Sequence, residues 1–81
     1  RVWRDGVYSY KKLLELLIIG DQAFLVVEWE GYEDPTVEPL GHFSSHHRAL
    51  RRLVRFTYAR YPQRFTRAVI ATFRRHGIDV L

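Results

Sequence analysis

The sequence contains no cysteine, which excludes disulfide frameworks, thiolate metal sites and cysteine nucleophiles. It has no apolar run of about 18 residues, the length that a membrane-crossing helix needs, and no signal peptide opens it. We therefore expect a water-soluble protein without a membrane partner. The chain also lacks methionine and begins at Arg1, so we expect it to be a segment of a longer protein.

Charge is divided unevenly along the chain. Residues 1–43 carry four basic and eight acidic side chains, a net charge of −4, whereas residues 44–81 carry nine arginines and one aspartate, a net charge of +8. Such a division indicates either two partners of opposite charge or an arginine-rich helix face that serves solubility alone.

With 47% apolar and 15% aromatic residues, the chain is expected to pack a core, as one α+β domain over residues 1–81. Strands are predicted at residues 12–19, 23–30 and around 36–38. Periodicity alone also allows a buried helix at residues 12–19, but the turn at Gly20-Asp21-Gln22 favours a hairpin.

Two helices are predicted after the strands. Ser44 or Ser45 is the expected N-cap of the first helix, which should end near Arg60 or Tyr61 because a proline follows. The second, basic helix is predicted over residues 62–76, with Gly77 directly after its C-terminus.

Two aromatic side chains flank a glycine at the end of the second predicted strand, in Trp29-Glu30-Gly31-Tyr32. Rings placed three residues apart across such a turn can enclose a cation by cation–π attraction. Five nearby carboxylates would attract a basic ligand to the same end of the sheet: Glu28, Glu30, Glu33, Asp34 and Glu38.

That motif is followed by Thr36-Val37-Glu38-Pro39 and preceded, without a gap, by an apolar strand that begins near Tyr8. Together the three stretches resemble a chromodomain, of the heterochromatin-protein and Polycomb kind or of the retroelement-integrase kind. The resemblance covers about residues 7–58 and leaves a helical extension at about 62–81. It implies a small, curved, three-stranded antiparallel sheet packed against a C-terminal helix.

The resemblance also implies a nuclear, chromatin-associated module that binds a histone tail carrying a methylated lysine, with the tail of histone H3 as the first candidate. The methylammonium would sit in a cage formed by Tyr8, Trp29 and Tyr32. The tail would lie as an added β-strand in a groove, and the positions implied for it are Val7, Ser9, Tyr10, Glu38, Leu40, Gly41, His42 and Phe43.

Three features depart from the family pattern. Val37 stands where the family usually has tryptophan, and His42 stands where reader chromodomains often have an asparagine that bonds the peptide. The loop Glu33-Asp34-Pro35 is short, a form associated with chromodomains of retroelement integrases.

Two other functions stay open at this point. Arginines that share a face of the first predicted helix could bind the backbone of RNA or DNA; these are Arg48, Arg51, Arg52 and Arg55. The protein could also be a dimerisation module like the chromo-shadow variants, which lack the aromatic cage.

We predict no enzyme, no cofactor and no metal site. His46 and His47 are adjacent, so they would point about 100° apart on a helix. Ser44 and Ser45 have no nucleophile elbow and no third residue to orient a base.

The first predicted strand is apolar on both faces if it alternates regularly, with Leu13, Leu17 and Ile19 on one face and Leu14, Leu16 and Ile18 on the other. Phe24 adds to the outer face of the sheet. We expect either the helix at residues 62–76 or a second copy of the chain to cover that face, and sedimentation would distinguish the two.

Overall fold

The computed structural model of the protein describes residues 9–81, which form one antiparallel sheet and two α-helices. Strands β1 (Tyr10–Ile19), β2 (Gln22–Trp29) and β3 (Thr36–Pro39) lie in the order β1-β2-β3. Helices α1 (Arg48–Arg60) and α2 (Arg67–Arg75) follow. The predicted α+β class, with a three-stranded antiparallel sheet packed against C-terminal helices, is confirmed.

The first two strands form the predicted hairpin. Ile19 pairs with Gln22, and Gly20 in the connecting turn has a φ of 63°, a left-handed conformation that glycine adopts without a steric penalty. A helix at residues 12–19 is thereby excluded.

Strand β1 does not alternate regularly. Its register against β2 shifts between Tyr10 and Lys12 and again between Leu13 and Glu15, as expected for β-bulges. Leu13 and Leu16 both point inward as a result, opposite buried residues of β2. The predicted grouping of Leu13 with Leu17 and Ile19 on one face is therefore wrong.

The hydrophobic core lies between the inner face of the sheet and both helices. It is one cluster of buried side chains: Leu13, Leu16, Ala23, Leu25, Val27, Trp29, Leu40, Phe43, Leu50, Val54, Phe65, Val69, Phe73 and Ile78. The second helix thus shares the core with the residues that resemble a chromodomain.

The outer face of the sheet is not covered by any described helix. Ile19 is 61% exposed and Val37 55% exposed, while α2 buries Val69 and Phe73 in the shared core instead. The expectation that α2 covers the outer face is wrong, because its apolar side chains are used on the inner face. A second copy of the chain on the outer face stays a prediction.

The start of α1 differs from the prediction. His47 is the N-cap, and its Nδ1 accepts the backbone N–H of Leu50 at 3.3 Å. Ser44, an expected cap, instead accepts the backbone N–H of His46 at 3.1 Å and closes a turn before the helix. The helix ends at Arg60, as predicted.

Helix α2 is shorter than predicted. Pro62–Arg64 form a 3-10 turn, the buried Phe65 interrupts the helix, and the side chain of Thr66 caps the new start by accepting the N–H of Val69 at 3.2 Å. At the other end the helix stops at Arg75 and His76 is its C-cap, so that Gly77, with a φ of 93°, holds the predicted position after the cap.

Candidate functional site

The turn after β2 brings the two aromatics of the predicted cage to one end of the sheet. The N–H of Tyr32 donates to the carbonyl of Trp29 at 3.3 Å, and Gly31 between them has a φ of 80°. A turn of this kind needs a positive φ at its third residue, which explains the glycine. Tyr32 is 48% exposed, so part of its ring is accessible.

Trp29 is held in place by its own ring nitrogen. Its Nε1–H donates to Thr36 Oγ1 at 2.7 Å, and the Thr36 hydroxyl donates to Glu38 Oε2 at 2.6 Å. The other carboxylate oxygen of Glu38 lies 3.0 Å from Nδ1 of His42. We call Trp29, Thr36, Glu38 and His42 the indole relay, and it fixes the orientation of the indole.

The indole is also buried, with 1% of Trp29 exposed, and it lies on the same face of β2 as Leu25 and Val27. A ligand can therefore reach its ring face only after a local opening of the site. Tyr8, the third predicted cage residue, and Val7 of the groove lie outside the described residues.

One side of the predicted groove lies beside the cage turn. The N–H of Glu30 donates to the carbonyl of Ser9 at 2.9 Å, and Tyr10 pairs with Trp29 in the register of the hairpin. The ring of Tyr10 turns toward α1, where its centroid is 4.9 Å from that of His47. Backbone groups at Ser9 and Tyr10 thus lie next to the cage turn, whereas the Tyr10 ring belongs to another surface.

The other side of the predicted groove is less open. Leu40–His42 form a 3-10 turn, and Leu40 and Phe43 are buried in the core. The N–H of Phe43 donates to the carbonyl of Leu40 at 3.1 Å, and Nε2 of His76 donates to the Phe43 carbonyl at 2.6 Å. The backbone of Phe43 is therefore already paired, and Gly41 and His42 are the exposed positions on this side.

Two residues of this region escaped the sequence analysis. Thr36 links the indole to Glu38. Their spacing of two residues in a short strand places both on the same face, and that spacing could have predicted the contact. His76 reaches Phe43 from 33 positions away along the chain, and no local pattern indicates that contact.

The cage turn is surrounded by exposed carboxylates. Glu30, Glu33 and Asp34 are exposed, and the ion pairs found within residues 9–81 involve other residues, joining Glu38 to His42 and Arg74 to Asp79. This end of the sheet therefore carries concentrated negative charge beside an accessible tyrosine ring.

The four predicted nucleic-acid contacts lie together on α1. Arg48, Arg51, Arg52 and Arg55 line one open cleft of about 570 Å³ with His46. We call these five residues the arginine cleft.

Comparison with known proteins adds no relative: no family model, no curated protein and no solved structure matches the chain. The chromodomain resemblance therefore stays a hypothesis that rests on the motifs. Within residues 9–81, no helix is long and apolar enough to cross a membrane, and no cluster of three or more histidine and carboxylate side chains could hold a metal ion.

Proposed function

We propose that the protein is a chromodomain-like module that binds a histone tail through a methylated lysine, with Tyr8, Trp29 and Tyr32 as the cage. The observation that carries this proposal is the turn from Trp29 to Tyr32, which holds an oriented indole and an accessible phenol ring at one end of the sheet. Ser9, which follows Tyr8 in the chain, is hydrogen-bonded to this same turn through Glu30.

The ligand chemistry follows from the side chains of the site. A methylated ammonium group is weakly hydrated and donates few hydrogen bonds, so aromatic ring faces suit it better than a single carboxylate does. Each favourable ring contact contributes roughly 0.5–2 kcal/mol. Selectivity for the methylated lysine over the unmethylated one is therefore assigned to the rings.

The rest of the tail is basic, and the surroundings of the turn match it. The exposed carboxylates of Glu30, Glu33 and Asp34 attract arginine- and lysine-rich peptides and raise their association rate. Backbone groups near Ser9 and Tyr10 on one side and Gly41 and His42 on the other are the positions for an added strand.

The burial of Trp29 adds a kinetic expectation. Because the indole is 1% exposed, binding requires the site to open first, and the association rate is reduced by the cost of that opening. We expect selective binding that is slower than simple diffusion would give.

Peptide titration tests the proposal. We expect an H3 tail with a trimethylated lysine to bind at least about tenfold more tightly than the unmethylated tail, since two or three ring contacts act together. A panel covering each methylated lysine identifies which position is read. Equal affinity for methylated and unmethylated tails across the whole panel would contradict the proposal.

A pair of variants at Tyr32 separates ring chemistry from side-chain bulk. Tyr32→Phe keeps the ring and should retain selectivity for the methylated peptide, whereas Tyr32→Leu should lose about tenfold in affinity for it and little for the unmethylated tail. Tyr32 is half exposed, so neither change should unfold the protein, which circular dichroism can verify. Equal binding of the methylated peptide by the two variants would show that the ring of Tyr32 does not contribute to the site.

A further inference from the structure

Helix α1 presents a line of arginines that the proposed peptide site does not use. Arg48, Arg52, Phe56 and Arg60 follow one another at intervals of four residues, so they form one ridge along the helix. Arg51 and Arg55 lie beside this ridge and complete the arginine cleft.

The positive charge of the cleft is not neutralised by the described part of the chain. The carboxylate ion pairs within residues 9–81 are those of His42 and Arg74, and none involves the cleft. Arg51 Nη1 donates to the carbonyl of Ser45 at 3.3 Å, which leaves its charge uncompensated. Four arginine side chains of like charge therefore line one open volume of about 570 Å³.

The helix adds to this potential. The first turn of α1 contains no acidic residue, although acidic side chains are favoured there because the positive end of the helix dipole lies at the N-terminus. Arg48 and Arg51 are instead placed where the dipole disfavours a cation. A bound anion would relieve both the mutual repulsion and the unfavourable placement.

A second groove adjoins the cleft through Arg52. It has a volume of about 380 Å³, is mainly apolar, and includes Tyr10, Leu53 and Phe56. Phe56 is 58% exposed and Tyr10 38% exposed, so aromatic surface lies in the open directly beside the guanidinium groups. An arginine face that served solubility alone would not need an exposed phenyl ring in the middle of its ridge.

From this juxtaposition we infer that the protein binds single-stranded nucleic acid, with phosphates in the arginine cleft and a base stacked on Phe56 in the adjoining groove. Guanidinium groups pair with phosphate oxygens through two parallel hydrogen bonds, and every base offers a flat face to an aromatic ring. Cations alternating with an exposed ring are the typical features of single-strand binding. An acidic peptide would use the charge but not the ring, and a duplex would not expose its base faces.

The test compares two triple variants of the whole chain with equal loss of charge. One variant, Arg48→Gln with Arg52→Gln and Arg55→Gln, removes three cleft arginines; its matched control, Arg67→Gln with Arg74→Gln and Arg75→Gln, removes three exposed arginines of α2. Fluorescence anisotropy with a labelled polyuridine 12-mer at 150 mM salt gives the affinities. We expect the cleft variant to bind at least about tenfold more weakly, and the control to change less than about threefold.

The salt dependence measures the number of phosphate contacts. For a single strand, each phosphate contact contributes about −0.7 to the slope of log K against log salt concentration. Loss of three contacts in the cleft variant should therefore make the slope shallower by about two. Equal slopes in the cleft variant and the control, or equal losses of affinity, would overturn the inference.

Phe56→Leu tests the stacking contact separately. Since Phe56 is exposed, its replacement should leave the fold intact and weaken single-strand binding by about fivefold or more, with no change for a duplex of the same length. Equal loss for both nucleic acids would contradict the stacked base. Polyglutamate of the same charge serves as a competitor. If it displaces the labelled strand as effectively as unlabelled polyuridine does, the partner is an acidic peptide instead.

Discussion

Thr36 has an unusual position, because one hydroxyl group serves both as acceptor for the Trp29 indole and as donor to the Glu38 carboxylate. Glu38 is itself largely buried. Removing that oxygen is costly, because the indole N–H and Glu38 Oε2 would each lose this hydrogen bond at a buried position.

Thr36→Val should therefore destabilise the protein by about 1–3 kcal/mol although it preserves the shape of the side chain. Thr57→Val is the matched control: Thr57 is also buried, but its hydroxyl donates to the Leu53 carbonyl, a group that lies within helix α1. We expect the control to lose less than about 1 kcal/mol, because that carbonyl keeps its helical partner. Urea denaturation of both variants gives the comparison, and equal losses would show that the indole relay contributes no more than an ordinary hydroxyl.

The sequence indicated the position of Trp29 but not its depth. Alternation along β2 puts the indole on the buried face with Leu25 and Val27, and Gly31 correctly indicated a turn before Tyr32. Burial of the ring depends on what packs over the end of the sheet, which local pattern does not contain. For this reason the turn that joins the two aromatic residues was predictable and the burial of the indole was not.

The bounds and faces of strands and helices were predicted correctly where a single local rule determines them. Strand β2 follows the period of two throughout, and α1 ends before a proline as expected. Strand β1 keeps a regular register only from Glu15 to Ile19, beyond its bulges, because each bulge adds a residue that shifts the alternation. The start of α1 was missed for a similar reason: Phe43 is fixed in the core, and the chain makes a turn at Ser44 before the helix can begin.

The end of α2 offers an element-scale prediction. The N–H of Gly77 donates to the Arg74 carbonyl and that of Ile78 to the Phe73 carbonyl, each at 2.9 Å, an arrangement that requires the left-handed conformation at Gly77. A Cβ at Gly77 would also lie 3.0 Å from Cβ of Ser45. Gly77→Ala should cost about 1–2 kcal/mol from the conformation, with a further loss from the close contact.

Thermal unfolding of two further variants separates the effect of backbone conformation from that of the close contact. Gly41→Ala introduces the same methyl group at a position with no positive φ and no heavy atom within 4 Å, so it should change stability by less than about 0.5 kcal/mol. Adding Ser45→Gly to Gly77→Ala removes the contact but leaves the backbone conformation, and the loss caused by Gly77→Ala should then be smaller. No difference between Gly77→Ala and Gly41→Ala would mean that the helix end rearranges without cost.

Across the whole molecule, the division of charge seen in the sequence becomes a division between surfaces. Exposed carboxylates surround the cage turn at the end of β2, whereas the arginine cleft lies on α1. The two proposed ligands, a basic peptide and a polyanion, are thus each matched to a surface of opposite charge. Variants in the cleft should leave the discrimination between methylated and unmethylated peptides unchanged, so failure of one proposal is distinguishable from failure of the other.

The buried core extends further along the chain than the chromodomain-like motifs do. The chromodomain resemblance ends near residue 58, yet Phe65, Val69, Phe73 and Ile78 are all buried in the same cluster as Leu25. A chain that stops at Tyr61 would expose the inner face of β2 where α2 packs. Since removing one buried phenylalanine side chain costs about 3–5 kcal/mol, and domains of this size are stable by about 5–15 kcal/mol, that chain should not fold cooperatively.

Urea denaturation followed by tryptophan fluorescence tests this expectation, with a chain that lacks only the exposed Leu81 as control. The control should unfold in one transition near the midpoint of the full chain. Phe73→Ala keeps the chain length and should lose about 3–5 kcal/mol, which separates the loss of core packing from the loss of helix α2 as a whole. A cooperative transition of the shortened chain at the midpoint of the full chain would show that residues 1–61 form a stable core without α2.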